Sequence, residues 1–272
     1  MTYFCFLQAM ANQWLQNKKI VIIGGTHGLG LSAAKACIGE GAKVMAVGRD
    51  INDSELSATA YSKTAWLMKG DARSESLAKE AIEKCAQHFG GFDGIYHVAG
   101  GSGRKFGDGP LHAMSLEGWQ QTLDLNLTSL MFSNRAAIQF FLDHQQPGVI
   151  LNMGSVLGYS PSPKYFSTHA YAACKAAVIG FSKSIAAYYA ANNIRVNVIA
   201  PGLIKTPMSG RASGDEAILE FIHSKQPLDG GRIGFPEDSD GAAVFLLSDL
   251  ARFVTGQVIA VDGGWTVSEG QY

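Results

Sequence analysis

Short apolar runs rich in Val and Ile recur along the chain, separated by longer amphipathic segments. Residues 19–23, 43–47, 65–68, 94–98, 149–153, 195–200 and 258–261 read as strands. They lack strict polar/apolar alternation, as expected of strands covered on both faces. Between them, residues 29–38, 74–89, 116–144, 171–192 and 236–248 carry helical periodicity. Repeated strand–helix–strand units need crossovers, and these predict an α/β fold: a three-layer, doubly wound parallel sheet of Rossmann type. No Pro/Ser-rich linker and no repeat divides the chain, so one domain over residues 17–272 is expected, after an N-terminal extension at 1–16. The least regular stretch, residues 205–235, contains Pro207, Pro227, several glycines and a short helical pattern at 215–224. It is too long for an ordinary connection and reads as a substrate loop or lid; an exposed surface loop is the alternative. Its Met208, Ile218, Leu219, Phe221 and Ile222 suggest a partly apolar pocket.

Composition narrows the class. The 272 residues are 47% hydrophobic and 17% charged, with 32 glycines, which describes a compact domain rather than a disordered chain. The net charge is −1 and the basic residues form no run beyond pairs, so nucleic acid and anionic membrane surfaces are not expected partners. Cys5, Cys37, Cys85 and Cys174 are scattered without C-x-x-C spacing, which suits reduced thiols in a cytoplasmic protein and gives no metal site. Residues 1–11 lack the basic start and long apolar core of a signal peptide, and no apolar stretch reaches membrane-span length.

Two motifs carry chemistry. The first strand runs into Gly24-Gly25-Thr26-His27-Gly28-Leu29-Gly30. Glycines at 24, 28 and 30 let the backbone turn tightly and approach a pyrophosphate, with the N-terminus of the next helix aimed at that anion. Far downstream, Tyr171 and Lys175 stand four residues apart, on one face of a helix. A tyrosine titrates near ~10, so acid–base work at neutral pH needs a shift of roughly three units, about 4 kcal/mol. A lysine charge ~4 Å away, at an effective dielectric of about 20, supplies about that much.

The ordered spacing G-x-x-x-G-x-G and Tyr-x-x-x-Lys resembles the short-chain dehydrogenase/reductase family. His97-Val98-Ala99-Gly100 stands where that family has Asn-Asn-Ala-Gly, and Asn126 lies in the following helix. Asn152-Met153-Gly154-Ser155, Arg195 through Gly202 and Thr255 through Gly264 complete the match. The resemblance implies an oxidoreductase interconverting a secondary alcohol and a ketone with NAD(P). Tyr171 is then the general acid/base, Lys175 lowers its pKa and holds the nicotinamide ribose, and Ser155 bonds the substrate oxygen. Asn126 resembles the residue holding a water that links Lys175 to solvent. The cofactor residues implied are Gly24, Thr26, His27, Gly28, Leu29, Gly30, Arg49, Asp71, Ala72, Ala99, Gly100, Tyr171, Lys175, Pro201, Gly202, Ile204 and Thr206. A non-catalytic nucleotide-sensing or scaffold protein, or an epimerase or dehydratase using bound NAD(P), are the other readings of this fold. Epimerase-type relatives generally have longer C-terminal domains.

Cofactor choice turns on Gly48-Arg49-Asp50 at the end of the second strand. Gly48 replaces the aspartate of NAD-using relatives, and Arg49 can contact a 2′-phosphate, so NADP(H) is favoured with NAD(H) possible. Asp71 either bonds adenine or caps the next helix. Ile23 replaces the family threonine, and His97 and Val98 remove the local hydrogen bonds of the two asparagines. The interval from Ser155 to Tyr171 holds Pro161 and Pro163 and is expected to bulge over the pocket. Arg104 and Lys105 read either as contacts for an anionic substrate group or as a solvated loop. Apolar residues around so much of the helix at 171–192 point to a homotetramer, since in the resembled family this helix and the one at 116–144 pair with symmetry mates.

Overall fold

The computed structural model describes residues 13–58 and 63–270. Seven strands form one parallel sheet: β1 (Lys19–Ile23), β2 (Lys43–Gly48), β3 (Ala65–Lys69), β4 (Gly94–His97), β5 (Gly148–Met153), β6 (Ile194–Pro201) and β7 (Val258–Val261). Their order is β3-β2-β1-β4-β5-β6-β7, so the chain reverses direction across the sheet between β1 and β4. Crevices at such a switch point, outside the carboxyl ends of the strands, bind ligands in open α/β sheets.

Alternate residues of each strand enter opposite cores, as the two-residue period requires. Ile20, Ile22, Val44 and Ala46 pack under α1 (Gly28–Gly39) and the later helix at Asp240–Leu247. Val21, Ile23, Met45 and Val47 pack against α2 (Leu77–Phe89) and the helix at Ser129–Asp143. Ile23 is thus a core residue. Leu15 is also fully buried, and its N–H donates to the Glu40 carbonyl at 3.0 Å, so the packed unit reaches upstream of residue 17. Cys5 and most of the expected extension lie outside the described residues; Cys37, Cys85 and Cys174 are free and buried.

Two of the departures from the sequence-based helix extents have a visible cause. α2 begins at Leu77 rather than at 74 because Asp71 first closes a turn, its carbonyl accepting from Ser74 N–H at 2.9 Å. The expected helix at 116–144 is two α-segments, α3 (Leu116–Leu123) and α4 (Ser129–Asp143), joined by a π-turn over Asp124–Thr128. Asn126 accounts for the wider turn. Its side-chain Nδ2 donates to the Thr122 carbonyl at 2.9 Å, occupying the acceptor that an α-helix would offer to the Asn126 backbone. The remaining helices are α5 (His169–Tyr189), α6 (Gly210–Ser213), α7 (Glu216–Lys225) and α8 (Asp240–Leu247).

His97, at the end of β4, is buried between Ser133 and Ser129. Its Nδ1 lies 2.8 Å from Ser133 Oγ and its Nε2 3.4 Å from Ser129 Oγ. The hydrogen bonds thought lost at this position are therefore remade with α4. Burial, and then the Lys175 cation, push the imidazole down to about 3. An unfolded histidine titrates near ~6.5, so below that pH the unfolded chain binds a proton that the folded chain refuses. Stability is then lost as pH falls from about 6.5 toward about 3, by up to about 1.4 kcal/mol per pH unit for one proton. In urea titrations at pH 7 and pH 5, His97→Asn is expected to flatten this dependence; an unchanged slope would assign acid sensitivity to other groups.

Candidate active site

The carboxyl ends of the strands open into one cleft made of two cavities that share Leu29, Val98, Gly100, Thr206 and Met208. The first half follows β1 and β2. Gly24, Thr26, His27, Gly28, Arg49, Asp71, Ala72 and Ala99 line it. Gly24 has φ +87°, and a Cβ there would lie 2.7 Å from Ala99 N, so only glycine lets the loop pass so close to β4. Gly30 does not line the cleft. A Cβ on it would overlap the Gly24 carbonyl at 2.0 Å, so it serves to close the turn. α1 begins with no side-chain cap and no acidic residue in its first turn, leaving its amide donors and positive dipole end open to an anion. This cradle fits a dinucleotide pyrophosphate.

At the adenosine end, a Cβ on Gly48 would meet Thr26 Oγ1 at 2.0 Å, so the aspartate of NAD-using relatives does not fit without displacing Thr26. Asp50, which could have neutralised Arg49, instead accepts from Asn52 N–H at 3.1 Å. Among the described residues Arg49 makes no ion pair. Asp71 is neither free nor the cap of α2. Arg73 clamps its carboxylate, with Nη2 2.7 Å from Oδ2 and Nε 3.1 Å from Oδ1, and that hydrogen bonding holds it below the ordinary carboxylate range. Arg73 was invisible as a partner because the pair lies in the turn between β3 and α2, where no periodic pattern runs.

The second half of the cleft brings Ser155, Tyr171, Lys175, Pro201, Gly202, Ile204 and Thr206 together. Ser155, two residues past the end of β5, accepts from Leu157 N–H at 3.2 Å and is the neighbour that acts to lower the Tyr171 pKa. Lys175, one turn along α5, is only 2% exposed and donates to the Met153 carbonyl at 2.8 Å. Its Nζ sits 5.5 Å from the centre of the Tyr171 ring. The Lys175 charge is not among the influences resolved on the Tyr171 phenol. Burial pushes the phenol up to about 12, the Ser155 hydrogen bond being the one opposing influence. The same burial pushes Lys175 down to about 8. In so dry a place, desolvation of each charged form is the largest influence on both groups.

Asn126 lies outside both cavities. Its amide is spent on backbone, taking Gly101 N–H at 3.0 Å and giving to the Gly101 and Thr122 carbonyls at 2.9 Å each. A Cβ on Gly100 would stand 2.7 Å from Asn126 Oδ1 and 3.6 Å from Lys175 Nζ, so both groups face the same glycine. The interval between Ser155 and Tyr171 does lie against the pocket, contributing Val156, Leu157, Phe166 and Thr168. In the substrate loop, Met208, Ser209, Arg211 and Ala212 line the cavity. Ile218 and Ile222 turn instead into a small core with Val156 and Trp265, and Phe221 packs against Tyr165 and Trp265.

Sequence reasoning missed Asp108. This buried carboxylate, from the loop after β4, accepts from Ala170 N–H and Tyr171 N–H, each at 3.0 Å. It therefore caps the helix that carries the tyrosine, from more than sixty residues away in sequence. No local capping spacing announces such a contact.

With this geometry in view, the family is decided. The model described as Enoyl-(Acyl carrier protein) reductase matches residues 24–266. The chain belongs to the short-chain dehydrogenase/reductase family. It is 34% identical to 2,5-dichloro-2,5-cyclohexadiene-1,4-diol dehydrogenase of Sphingobium indicum, over 93% of this chain and 98% of that protein. It is 35% identical to 3beta-hydroxysteroid dehydrogenase 1 of Eggerthella lenta, over 94% and 96% of the two chains. A solved short-chain type dehydrogenase/reductase from Mycobacterium ulcerans superposes with a TM-score of 0.83 at 31% identity, covering 93% of this chain and 91% of that one. The protein is thus a short-chain NAD(P)-dependent dehydrogenase/reductase acting on CH–OH groups. No helix among the described residues is long and apolar enough to cross a membrane.

Replacing Asp108 by Asn leaves one acceptor and turns an amide donor toward the second N–H. Loss of about 1–3 kcal/mol of stability is expected, the cost of a buried donor left unpaired. Urea unfolding measures it, and an unchanged midpoint would mean that the two amides find other partners.

Proposed function

We propose that this short-chain dehydrogenase/reductase interconverts a secondary alcohol and a ketone, with Tyr171 as proton donor and acceptor. The observation that carries the reading is the convergence of Ser155, Tyr171 and Lys175 on one cavity continuous with the glycine-lined cleft. The nicotinamide cofactor, when bound, supplies or takes the hydride and, in its oxidised form, adds a positive charge.

At neutral pH burial keeps Tyr171 protonated, which suits it to donate to a carbonyl oxygen during reduction. Ser155 offers a second hydroxyl to that oxygen as negative charge builds on it. In the oxidative direction the phenol must give up its proton, and Ser155 and Lys175 stabilise the phenolate. Lys175 would also hold the nicotinamide ribose, and a water held at the Asn126 turn would link it to solvent. Pro201, Gly202, Ile204 and Thr206 cup the nicotinamide end.

Tyr171→Phe removes the transferable proton and nothing else of comparable size. Turnover is expected to fall by orders of magnitude while cofactor binding and melting temperature stay near wild type. Nicotinamide absorbance on a carbonyl and alcohol panel tests this, and activity within a few-fold of wild type would remove Tyr171 from its role.

The preferred cofactor is NADP(H). The crowding at Gly48 disfavours an acidic residue there, and Arg49, whose charge reaches Asp71 but which forms no ion pair among the described residues, is available to a 2′-phosphate. Arg49→Ala is expected to weaken NADPH binding by roughly 1–3 kcal/mol, as for a hydrogen bond to a charged group, and to change NADH little. Tighter binding of NADH than NADPH by the unaltered protein in direct titration would overturn the assignment.

The chain works as a homotetramer on this reading. α5 leaves Tyr188 77% exposed, α4 leaves Leu142 exposed, and near the C-terminal strand Leu250, Phe253 and Val267 stand in solvent. Two separate apolar surfaces suit two twofold contacts. Light scattering at micromolar concentration is expected to give about four times the 29.0 kDa chain mass; a monomer mass would exclude assembly.

A further inference from the structure

The reaction proposed above uses the hydroxyls and the lysine of the substrate cavity but neither of its two arginines. Arg104 lies in the turn after β4, and Arg211 lies on α6 in the substrate loop; both line the cavity. Each donates through Nη2 to the same acceptor, the Tyr165 carbonyl, at 3.4 Å and 3.2 Å respectively. One carbonyl occupies one donor of each fork, and a guanidinium has five. Among the described residues neither arginine forms an ion pair. The nearby carboxylate of Asp108 has both oxygens committed to the Ala170 and Tyr171 amides.

The charge around the cavity is therefore one-sided. Its ionisable lining consists of Arg104, Arg211, Lys175 and Tyr171, with no aspartate or glutamate. Burial and then the neighbouring Arg211 charge pull the Arg104 pKa downward, against a smaller opposing pull from the Asp108 carboxylate. The cavity that holds both the arginines and the reacting hydroxyls is also lined by Leu157, Phe166, Leu203 and Trp265. A pair of like charges at the end of an apolar cavity attracts and orients a complementary anion. If the arginines served only to hold the Tyr165 loop, their removal would affect charged and neutral ligands alike.

We propose that this cavity selects anionic substrates, Arg104 and Arg211 together holding a carboxylate, sulfonate or phosphate group while Ser155 and Tyr171 take the carbonyl or hydroxyl oxygen. The proposal rests on the dehydrogenase reading for the second half of that statement only. The class of compound is a ketone or secondary alcohol joined by a short apolar spacer to an acid group.

The test is calorimetric binding to the full-length chain loaded with cofactor. The ligands are methyl ketones with terminal carboxylates of increasing length, levulinate among them, each against its methyl ester and against the matching sulfonate and phosphate. At least one anion is expected to bind ten-fold or more tightly than its neutral counterpart, and the best of the three acid groups identifies the chemistry. Arg104→Ala and Arg211→Gln are each expected to reduce that anion-to-neutral ratio several-fold, and Arg211→Lys to restore most of it. Equal affinity for acid and ester, or arginine variants that weaken both by the same factor, would overturn the proposal. Turnover on the same panel separates the two readings. Charge-selective binding with no nicotinamide oxidation by any ketone would sink the dehydrogenase chemistry and leave the anion site standing.

Discussion

A lysine buried without a carboxylate partner among the described residues is the constraint around which the rest of this site is arranged. Lys175 is almost wholly removed from water and meets one backbone carbonyl, that of Met153 at the end of β5. An ammonium so placed is costly unless its surroundings compensate. Its consequences run outward. His97, on the neighbouring strand, is held neutral by burial and by that cation, and the two serines of α4 satisfy its ring. The turn of helix that carries Lys175 also carries Tyr171, so whatever fixes one fixes the other. The Asp108 carboxylate does this from outside the helix, by gripping the amides of Ala170 and Tyr171. Geometry, rather than a lowered tyrosine pKa, is what the protein supplies before any ligand enters.

Much of the fold was legible because the strands are covered on both faces. Residues such as Val21 and Ile22 go to opposite cores, and each core demands an apolar side chain, so the strand appears as an unbroken apolar run. All seven strands fall within a residue or two of where the pattern puts them. The glycine loop was legible for a different reason. Its residues are constrained by backbone approach, and a requirement for no side chain leaves a mark in the sequence that no other role imitates.

What escaped notice is long-range or competes with local rules. The π-turn at Asp124–Thr128 sits in a segment whose periodicity is helical throughout. Side chains widen the turn there, Asn126 taking the Thr122 carbonyl and Ser129 the Leu125 carbonyl. Asp108 acts across more than sixty residues, and Arg73 meets Asp71 inside a turn, where no periodic pattern runs. The apolar stripe of α7 was visible, but the surface it faces was not. Ile218 and Ile222 serve a satellite core around Trp265, and the cavity is lined instead by the polar and small residues just before that helix.

Seen from the sheet, the cleft runs along a line of positive features with different roles. At one end lie the open N-terminus of α1 and Arg49, suited to phosphate. In the middle stands Lys175, too dry to be an anion site in its own right and aimed at a carbonyl. At the other end Arg104 and Arg211 converge on Tyr165, each with donors to spare. Only the central charge is fully buried, and it is the one that the chemistry needs close to the reacting oxygen. The outer arginines keep contact with solvent, which lowers the cost of holding them and lets an incoming anion exchange water for guanidinium donors. A substrate carrying charge at one end and a carbonyl at the other would meet the arginines first and the apolar wall next. Its charge would then set which end reaches Tyr171.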